Sequence, residues 1–365
     1  MENKNILIVG AGIGGLSLAV NLKKLNIPFR IIEKQENWNK KGLAMSIQGE
    51  GLVAADSMGV LKEIRSQSKK RNLQRIENAE GKIIKQLEPE EEDTSFVIRR
   101  DVLHESLRLR VPGIEMNLSV SNLEENKHNI KVLFSNGSSD NFSLVVGADG
   151  INSGISKFIQ GNNIHLDKKE NLLYSGSVLW GITVKTKYDD IIEVWDKDKM
   201  IAFYPVDDGT VISFFKKAPG SFSSEREKRA NHIKKYFSSF SQDIISGILE
   251  NLPEKIFFDQ IRYTRPRKWN NGKITLIGDA CHSLSPLSGL GANLAMGDAG
   301  GLAQVIAVSD THKNLLLRLE KFNRKRQMEA DKAYYLSTYR TKRSMTGSAG
   351  SFIRNFKMKN INWEY

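Results

Sequence analysis

Residues 5–34 read NILIVGAGIGGLSLAVNLKKLNIPFRIIEK, and their layout decides the fold. Asn5–Val9 is a continuous apolar run, as expected of a parallel strand buried on both faces. Gly10, Gly12 and Gly15 follow as G-x-G-x-x-G, and from Gly14 to Leu25 the residues Leu16, Ala19, Val20 and Leu22 fall near helical spacing. Pro28 ends the connection, and Phe29–Ile32 reads as a second strand that closes on Glu33. This is a βαβ unit of about thirty residues. Strand, glycine turn, helix and a following acid form the dinucleotide-binding arrangement. Gly10 permits the tight turn and Gly15 the close packing of helix on strand. Gly12, with Ile13 and Gly14, lets the backbone approach a pyrophosphate at the positive helix end. Glu33, with Lys34 beside it, can meet ribose hydroxyls.

Further along, the pattern changes. Strands are predicted at Lys82–Leu87, Ser95–Ile98, Glu115–Leu118, Asn129–Phe134 and Phe142–Val146, with a helix at Asp101–Leu109. Tyr174–Lys185, Asp190–Trp195, Met200–Val206 and Gly209–Lys216 follow at close spacing and predict an antiparallel sheet. Helices are predicted at Ser224–Phe237 and Gln242–Leu252. A buried strand at Lys273–Ile277 precedes helical patterns at Asn293–Val308 and Asn314–Arg340. The expected fold class is α/β: a Rossmann-like domain with a parallel sheet, an inserted antiparallel substrate sheet and C-terminal helices. The expected division is 1–80, 97–170 and 260–312 for the nucleotide domain, 81–96 and 171–259 for the substrate domain, and 313–365 for the helical C-terminus.

Composition narrows the function. The 365 residues are 40% hydrophobic and 26% charged, as in a soluble globular protein. One cysteine, Cys281, excludes an internal disulfide, and no C-x-x-C or histidine-rich cluster suggests a metal. No run of 18 or more apolar residues and no signal peptide is evident, so a cytoplasmic protein is expected. The net charge is +12, and +10 of it lies between Lys313 and Lys359. That segment is read as a solvated face able to make weak contact with anionic surfaces. No zinc finger or RNA-binding aromatic signature points to nucleic acid.

Two further motifs specify the cofactor. Leu144–Ser156, LVVGADGINSGIS, carries a strand into Asp149-Gly150, and Gly278–Asn293 reads GDACHSLSPLSGLGAN. Arg100-Asp101-Val102-Leu103 and Tyr204-Pro205-Val206-Asp207-Asp208-Gly209 stand between them in sequence order with the first motif. Together, over nearly the whole chain, these resemble the class A flavoprotein monooxygenases, the aromatic hydroxylases that include tetracycline-inactivating relatives.

The resemblance implies FAD as cofactor and NADPH or NADH as co-substrate. It implies that Asp279 meets the ribityl chain and that Gly289, Leu290, Gly291, Ala292 and Asn293 form a helix N-terminus under the flavin. A helix N-terminus suits the anionic edge of reduced flavin. It further implies Arg100 near the ribityl–phosphate region, Ala44 in the loop Gly42–Gly51 beside the ring, Asp149 in a motif shared by FAD and NAD(P)H, and Pro286 in the loop facing the flavin. Gly154, Lys157 and Leu290 depart from the family pattern; the first two bear on the nicotinamide contact. Pro286 and His282 are the catalytic candidates, and Trp180, Phe203 and Phe215 the substrate candidates. Cys281 is read as core. The implied function is monooxygenation: one atom of O2 transferred through a flavin C4a-hydroperoxide to an aromatic or electron-rich small molecule, such as an antibiotic or other xenobiotic. Alternatives are a reductase of the geranylgeranyl-reductase type and a non-catalytic flavin-binding protein. The sequence leaves monomer and dimer open.

Overall fold

The computed structural model describes residues 5–38, 43–88, 95–161 and 172–345. A five-stranded sheet has the order Asn270–Asn271, Ile274–Leu276, Leu144–Gly147, Ile6–Val9, Phe29–Ile32. Its last four strands are parallel, with Ile6 opposite both Leu144 and Phe29, and Val145 opposite Ile274. The chain thus returns after residue 270 to complete the sheet begun at its N-terminus, as the sequence pattern anticipates. The helices Ile13–Lys24, Glu50–Met58, Arg100–Arg108 and Gly291–Ala307 bury Leu16, Ala55, Leu103, Met296 and Leu302 against one face. The other face is covered by a three-stranded antiparallel sheet, Val120–Glu125, Ile130–Phe134 and Ser139–Phe142, and by the helix Gly154–Ile159. Burial on both faces is why these strands read as unbroken apolar runs.

A seven-stranded sheet forms the second body. Its order is Phe257–Thr264, Leu172–Val184, Gly209–Lys217, Lys199–Val206, Ile191–Trp195, Gln74–Asn78, Ile83–Leu87. All its pairings are antiparallel except Ile191–Trp195 with Gln74–Asn78. The helices Arg229–Phe237 and Gln242–Glu250 cover one face through Ile233, Phe237 and Ile245. A short three-stranded sheet, Ala44–Ile47, Phe96–Arg99 and Lys69–Lys70, is built from segments that flank Gln74–Leu87 in sequence. A 33-residue helix, His312–Ser344, ends the described chain.

Several sequence expectations need correction. Glu115–Leu118 is not a strand: Glu115 makes one bridge to Ile32, and Asn117 adopts a left-handed φ of 56° that breaks extension. The expected Phe142–Val146 strand is two strands that meet at Ser143. Gln74–Asn78, assigned to the nucleotide side, pairs into the seven-stranded sheet, as does Phe257–Thr264.

Candidate active site

The glycine motif uses its residues for different purposes. Gly10 has φ +103°, and a Cβ there would sit 2.5 Å from the Ala148 carbonyl oxygen. A Cβ on Gly15 would overlap the Gly10 carbonyl oxygen, and one on Gly14 would touch Ala295 at 3.6 Å. Gly10 and Gly15 therefore let the helix pack closely behind the strand, whereas a Cβ on Gly14 would make only ordinary contact. Gly12 differs: nothing lies within 4 Å of its Cβ position, and it opens the helix Ile13–Lys24 with no side-chain cap. The first-turn N–H groups of a helix lack internal partners, so this end presents donors to an open face. Glu33 braces the turn, accepting from Ala11 N at 2.9 Å and Gln35 N at 3.0 Å; Lys34 is exposed.

Around the same turn stand residues that the motif reading missed. His104 donates from Nε2 to the Ala11 carbonyl at 2.8 Å, which fixes its tautomer. Desolvation, with the charges of Arg100 and Arg108, lowers the pKa of His104. Trp38 lies 5.3 Å from the His104 ring, and Arg108 stacks over Trp38. No spacing rule links residues 38 and 104 to a glycine turn; only the packing of Arg100–Arg108 on the first helix brings them there. Arg99, next to Arg100, pairs with Asp101 at 3.1 Å and Asp208 at 2.5 Å. Arg100 opens its helix, with its N–H donating to the Leu43 carbonyl. Ala44 sits opposite Arg99 in the short sheet, and Gly42 lies outside the described residues.

A second helix end faces the same region. Gly289 has φ +66°, Leu290 leads into Gly291–Ala307, and that helix also has no side-chain cap. Nothing lies within 4 Å of a Cβ on Gly291. Gly14 and Gly278 both approach Ala295, so the two helix ends and the Gly278–Asp279 turn gather at one crossing. Asp279 is exposed at the start of the short helix Asp279–His282, and Pro286 is exposed at the head of a tight turn. Asn293 is 2% exposed, and its side chain is already engaged by the protein. It donates to the carbonyls of Ser46 and Gly289 and accepts from Gln48 N at 3.0 Å, stapling the Ala44–Ile47 strand to this helix. A Cβ on Gly51 would overlap that side chain.

His282 and Asp149 also hold structure together. His282, 3% exposed, meets Asp298 Oδ2 at 2.6 Å. Burial opposes charge on His282, but the Asp298 carboxylate raises its pKa well above the ordinary value. Desolvation would raise Asp298; His282 and Arg326 outweigh it and hold the carboxyl low. Asp298 also accepts from Gly278 N at 2.9 Å and from Arg326 Nε at 2.7 Å. Cys281 points its thiol at the Gly278 carbonyl, and burial pushes its pKa up to about 11, which keeps it a neutral thiol. The Asp149 carboxylate accepts from Ser153 Oγ, Gly154 N and Ile155 N, capping the helix Gly154–Ile159. Its own desolvation raises its pKa.

The substrate candidates divide by strand parity, because successive residues point to opposite faces. Trp180 and Phe203 do not face the nucleotide body. Trp180 packs on Phe222, Phe237 and Phe258 and donates to Ser224, while Phe203 packs on Tyr188. Phe215 lies on the opposite face with Leu179, Trp195, Met200 and Ala202, and that cluster includes Leu287 from the Pro286 turn and, at its edge, Leu43 and Tyr204. A Cβ on Gly181 would overlap Leu43, so the two bodies meet closely here. Within this apolar wall, Glu193 is 1% exposed and accepts from Gln74 Nε2 at 3.0 Å, Trp195 Nε1 at 2.9 Å and Arg340 Nη2 at 2.5 Å. Burial and the Glu193 charge raise the Tyr204 pKa, leaving its hydroxyl a neutral donor.

Two uncapped helix ends, with an open glycine in each, define a dinucleotide-binding protein. The chain belongs to the FAD binding domain family, which matches residues 3–335. It is 27% identical over 344 residues to a flavin-dependent monooxygenase of Legionella longbeachae serogroup 1 (strain NSW150), covering 87% of this chain and 86% of that one. Its fold matches Klebsiella pneumoniae HpxO complexed with FAD and uric acid, with TM-score 0.89, 20% identity, and 98% and 93% of the two chains covered. A salicylate hydroxylase substrate complex matches with TM-score 0.83, 17% identity and 98% and 92% coverage. The protein is a flavin-dependent monooxygenase of the aromatic-hydroxylase type, an oxidoreductase, and the reductase alternative is not favoured. The residues present fit FAD: Gly12 and Gly291 leave open backbone where a side chain would fill the cradle, and Asp279 stands exposed beside them.

Proposed function

We propose that this protein hydroxylates a flat, electron-rich ring compound, with NAD(P)H as electron donor, in a pocket between the seven-stranded sheet and the Pro286–Asn293 turn. The supporting observation is the placement of Phe215, Leu179 and Tyr204 in one cluster with Leu287 and Leu43, beside the two open helix ends. The substrate unit comprises the seven-stranded sheet with its two helices, residues 74–88 and 172–264.

The chain's own residues would act as follows. The Gly12, Ile13 and Gly14 amides hold the FAD pyrophosphate at the first helix end, and Glu33 takes the adenosine ribose hydroxyls. Asp279 binds the ribityl hydroxyls. The Gly291 and Ala292 amides offer partial positive charge to the pyrimidine edge of the flavin. Bound FAD supplies the redox and oxygen-activating chemistry. Phe215, Leu179 and Leu287 exclude water from the reacting face. Tyr204, a neutral donor beside the charged Glu193–Arg340 pair, orients a polar substituent of the ring. His282 has a positioning role through Asp298 and Gly278.

The test uses FAD-loaded protein with NADPH or NADH and a panel of urate, salicylate, tetracycline and alkylquinolone compounds. At least one ring compound should accelerate NAD(P)H oxidation with matching O2 uptake and a product heavier by one oxygen. Oxidation that ends only in hydrogen peroxide with every compound would count against hydroxylation of this class.

A further inference from the structure

The helix His312–Ser344 buries one side and leaves the other uncovered. Its buried side carries Leu315, Leu319, Ala330, Ala333, Ser337 and Thr341. Ser337 and Thr341 hydrogen-bond Ser285 and so secure the Pro286 turn. On the uncovered side, Leu317, Met328, Tyr335, Leu336 and Tyr339 are between 40% and 68% exposed. Lys321, Arg324, Lys325, Lys332 and Lys342 are exposed among them. These ten residues recur every three or four positions, so they share one stripe of the helix about a third of its circumference wide.

The stripe has a definite charge character. The helix's three carboxylates flank it and are each ion-paired: Glu320 with Arg324, Glu329 with Arg326 and Lys325, and Asp331 with Arg265. Lys321, Lys332 and Lys342 have no ion-pair partner among the described residues. A surface kept for solubility alone would intersperse both signs and avoid large exposed apolar groups. Here, aromatic and aliphatic side chains alternate with cations whose long stems can lie along them. That combination is the signature of a helix lying in the plane of a lipid interface: tyrosines and aliphatics enter between headgroups while lysines and arginines meet anionic phosphates.

We propose that this stripe docks the protein on an anionic membrane surface. The charge complementarity favours lipid over an acidic protein, because the apolar residues are spread along the helix rather than gathered in a pocket-like patch. Docking would place the Pro286 turn, held by the buried side of the same helix, near the bilayer. An apolar ring substrate could then enter the site from the lipid phase. The docking itself does not depend on the enzymatic reading.

The test is sedimentation of the full-length protein with vesicles of phosphatidylcholine alone or with phosphatidylglycerol added. Binding should require the anionic lipid and weaken as salt rises. Lys321→Gln with Lys332→Gln should reduce the partition roughly thirtyfold, from about one kcal/mol per cation removed. Tyr335→Ser with Leu336→Ser should also reduce it while leaving flavin content and solution turnover unchanged. Equal sedimentation with both vesicle types, or none at low salt, would overturn the proposal. So would a dimer in solution that the Tyr335→Ser, Leu336→Ser variant dissociates, since the stripe would then be a subunit interface.

Discussion

Arg326→Ala is the perturbation that most directly probes how the C-terminal helix supports the cofactor loops. Arg326, with an 11% exposed side chain, donates to Asp298 Oδ1 at 2.7 Å, Glu50 Oε2 at 2.9 Å and the Leu294 carbonyl at 3.0 Å. Through Asp298 it fixes the Gly278 N–H, and through Glu50 it fixes the start of the helix Glu50–Met58. Removing one partner from a buried ion pair costs about 3–5 kcal/mol, because the other charge is left unpaired. His282 still compensates Asp298, which puts the expected loss near the lower end, about 3 kcal/mol. At about 2 °C per kcal/mol for a chain of this size, the apparent Tm should fall by about 6 °C. The Gly278–Asp279 turn should loosen with it, weakening FAD binding roughly tenfold, or about 1.4 kcal/mol. Thermal unfolding with and without added FAD, together with FAD titration by fluorescence quenching, measures both effects. Arg326→Lys, which keeps the charge but loses the forked donors, should fall between the two proteins. An Arg326→Ala protein with unchanged Tm and unchanged FAD affinity would refute the reasoning.

Other predictions follow from the same geometry. Gly12→Val should leave the fold intact, since its Cβ meets nothing, yet yield colourless protein. Gly15→Ala should reduce soluble, folded protein instead, because its Cβ overlaps the Gly10 carbonyl; circular dichroism and absorbance of bound flavin separate the two. Trp180→Ala and Phe215→Ala should each lower stability by about 3–5 kcal/mol as buried core truncations, but only Phe215→Ala should also raise the KM for the ring substrate, as urea titration and steady-state kinetics would reveal. The His282–Asp298 pair makes stability depend on pH. His282 is raised in the folded state, so its contribution is complete below about pH 6.5 and declines as pH climbs through the raised folded value. Asp298→Asn should flatten that slope in Tm-against-pH profiles, and an unchanged slope would remove the pair as its source. His104 has the opposite sign: its folded pKa is lowered, so its contribution is present above about pH 6.5 and is lost on acidification.

The nucleotide fold was legible because its signals are local. An apolar strand, a glycine turn and a helical period lie within thirty residues, and the return at Lys273–Ile277 carries the same doubly buried signature. The antiparallel strands were legible as strands, but their faces were not. Trp180 and Phe215 are both aromatic residues in alternating segments, and only the paired register shows that one meets helices and the other the nucleotide body. Asp298 lies well inside the helix Gly291–Ala307. What it does there depends on Arg326, 28 residues farther on. Glu193, Gln74 and Arg340 were missed for the same reason: they meet across long separations, and no periodic or motif signal connects them. The helix Glu50–Met58 was hidden by Gly51, whose small size is required by the Asn293 side chain rather than by a turn.

The central claim is oxygen insertion by a flavin held in the Gly12–Gly291 cradle. Its most direct test is turnover of an accepted ring substrate under 18O2 with NAD(P)H, followed by mass spectrometry of the product. The expected result is one 18O atom per product molecule, with no label when 18O is supplied as water, and loss of the reaction in Gly12→Val. A product that carries oxygen from water, or is reduced without gaining oxygen, would contradict the account.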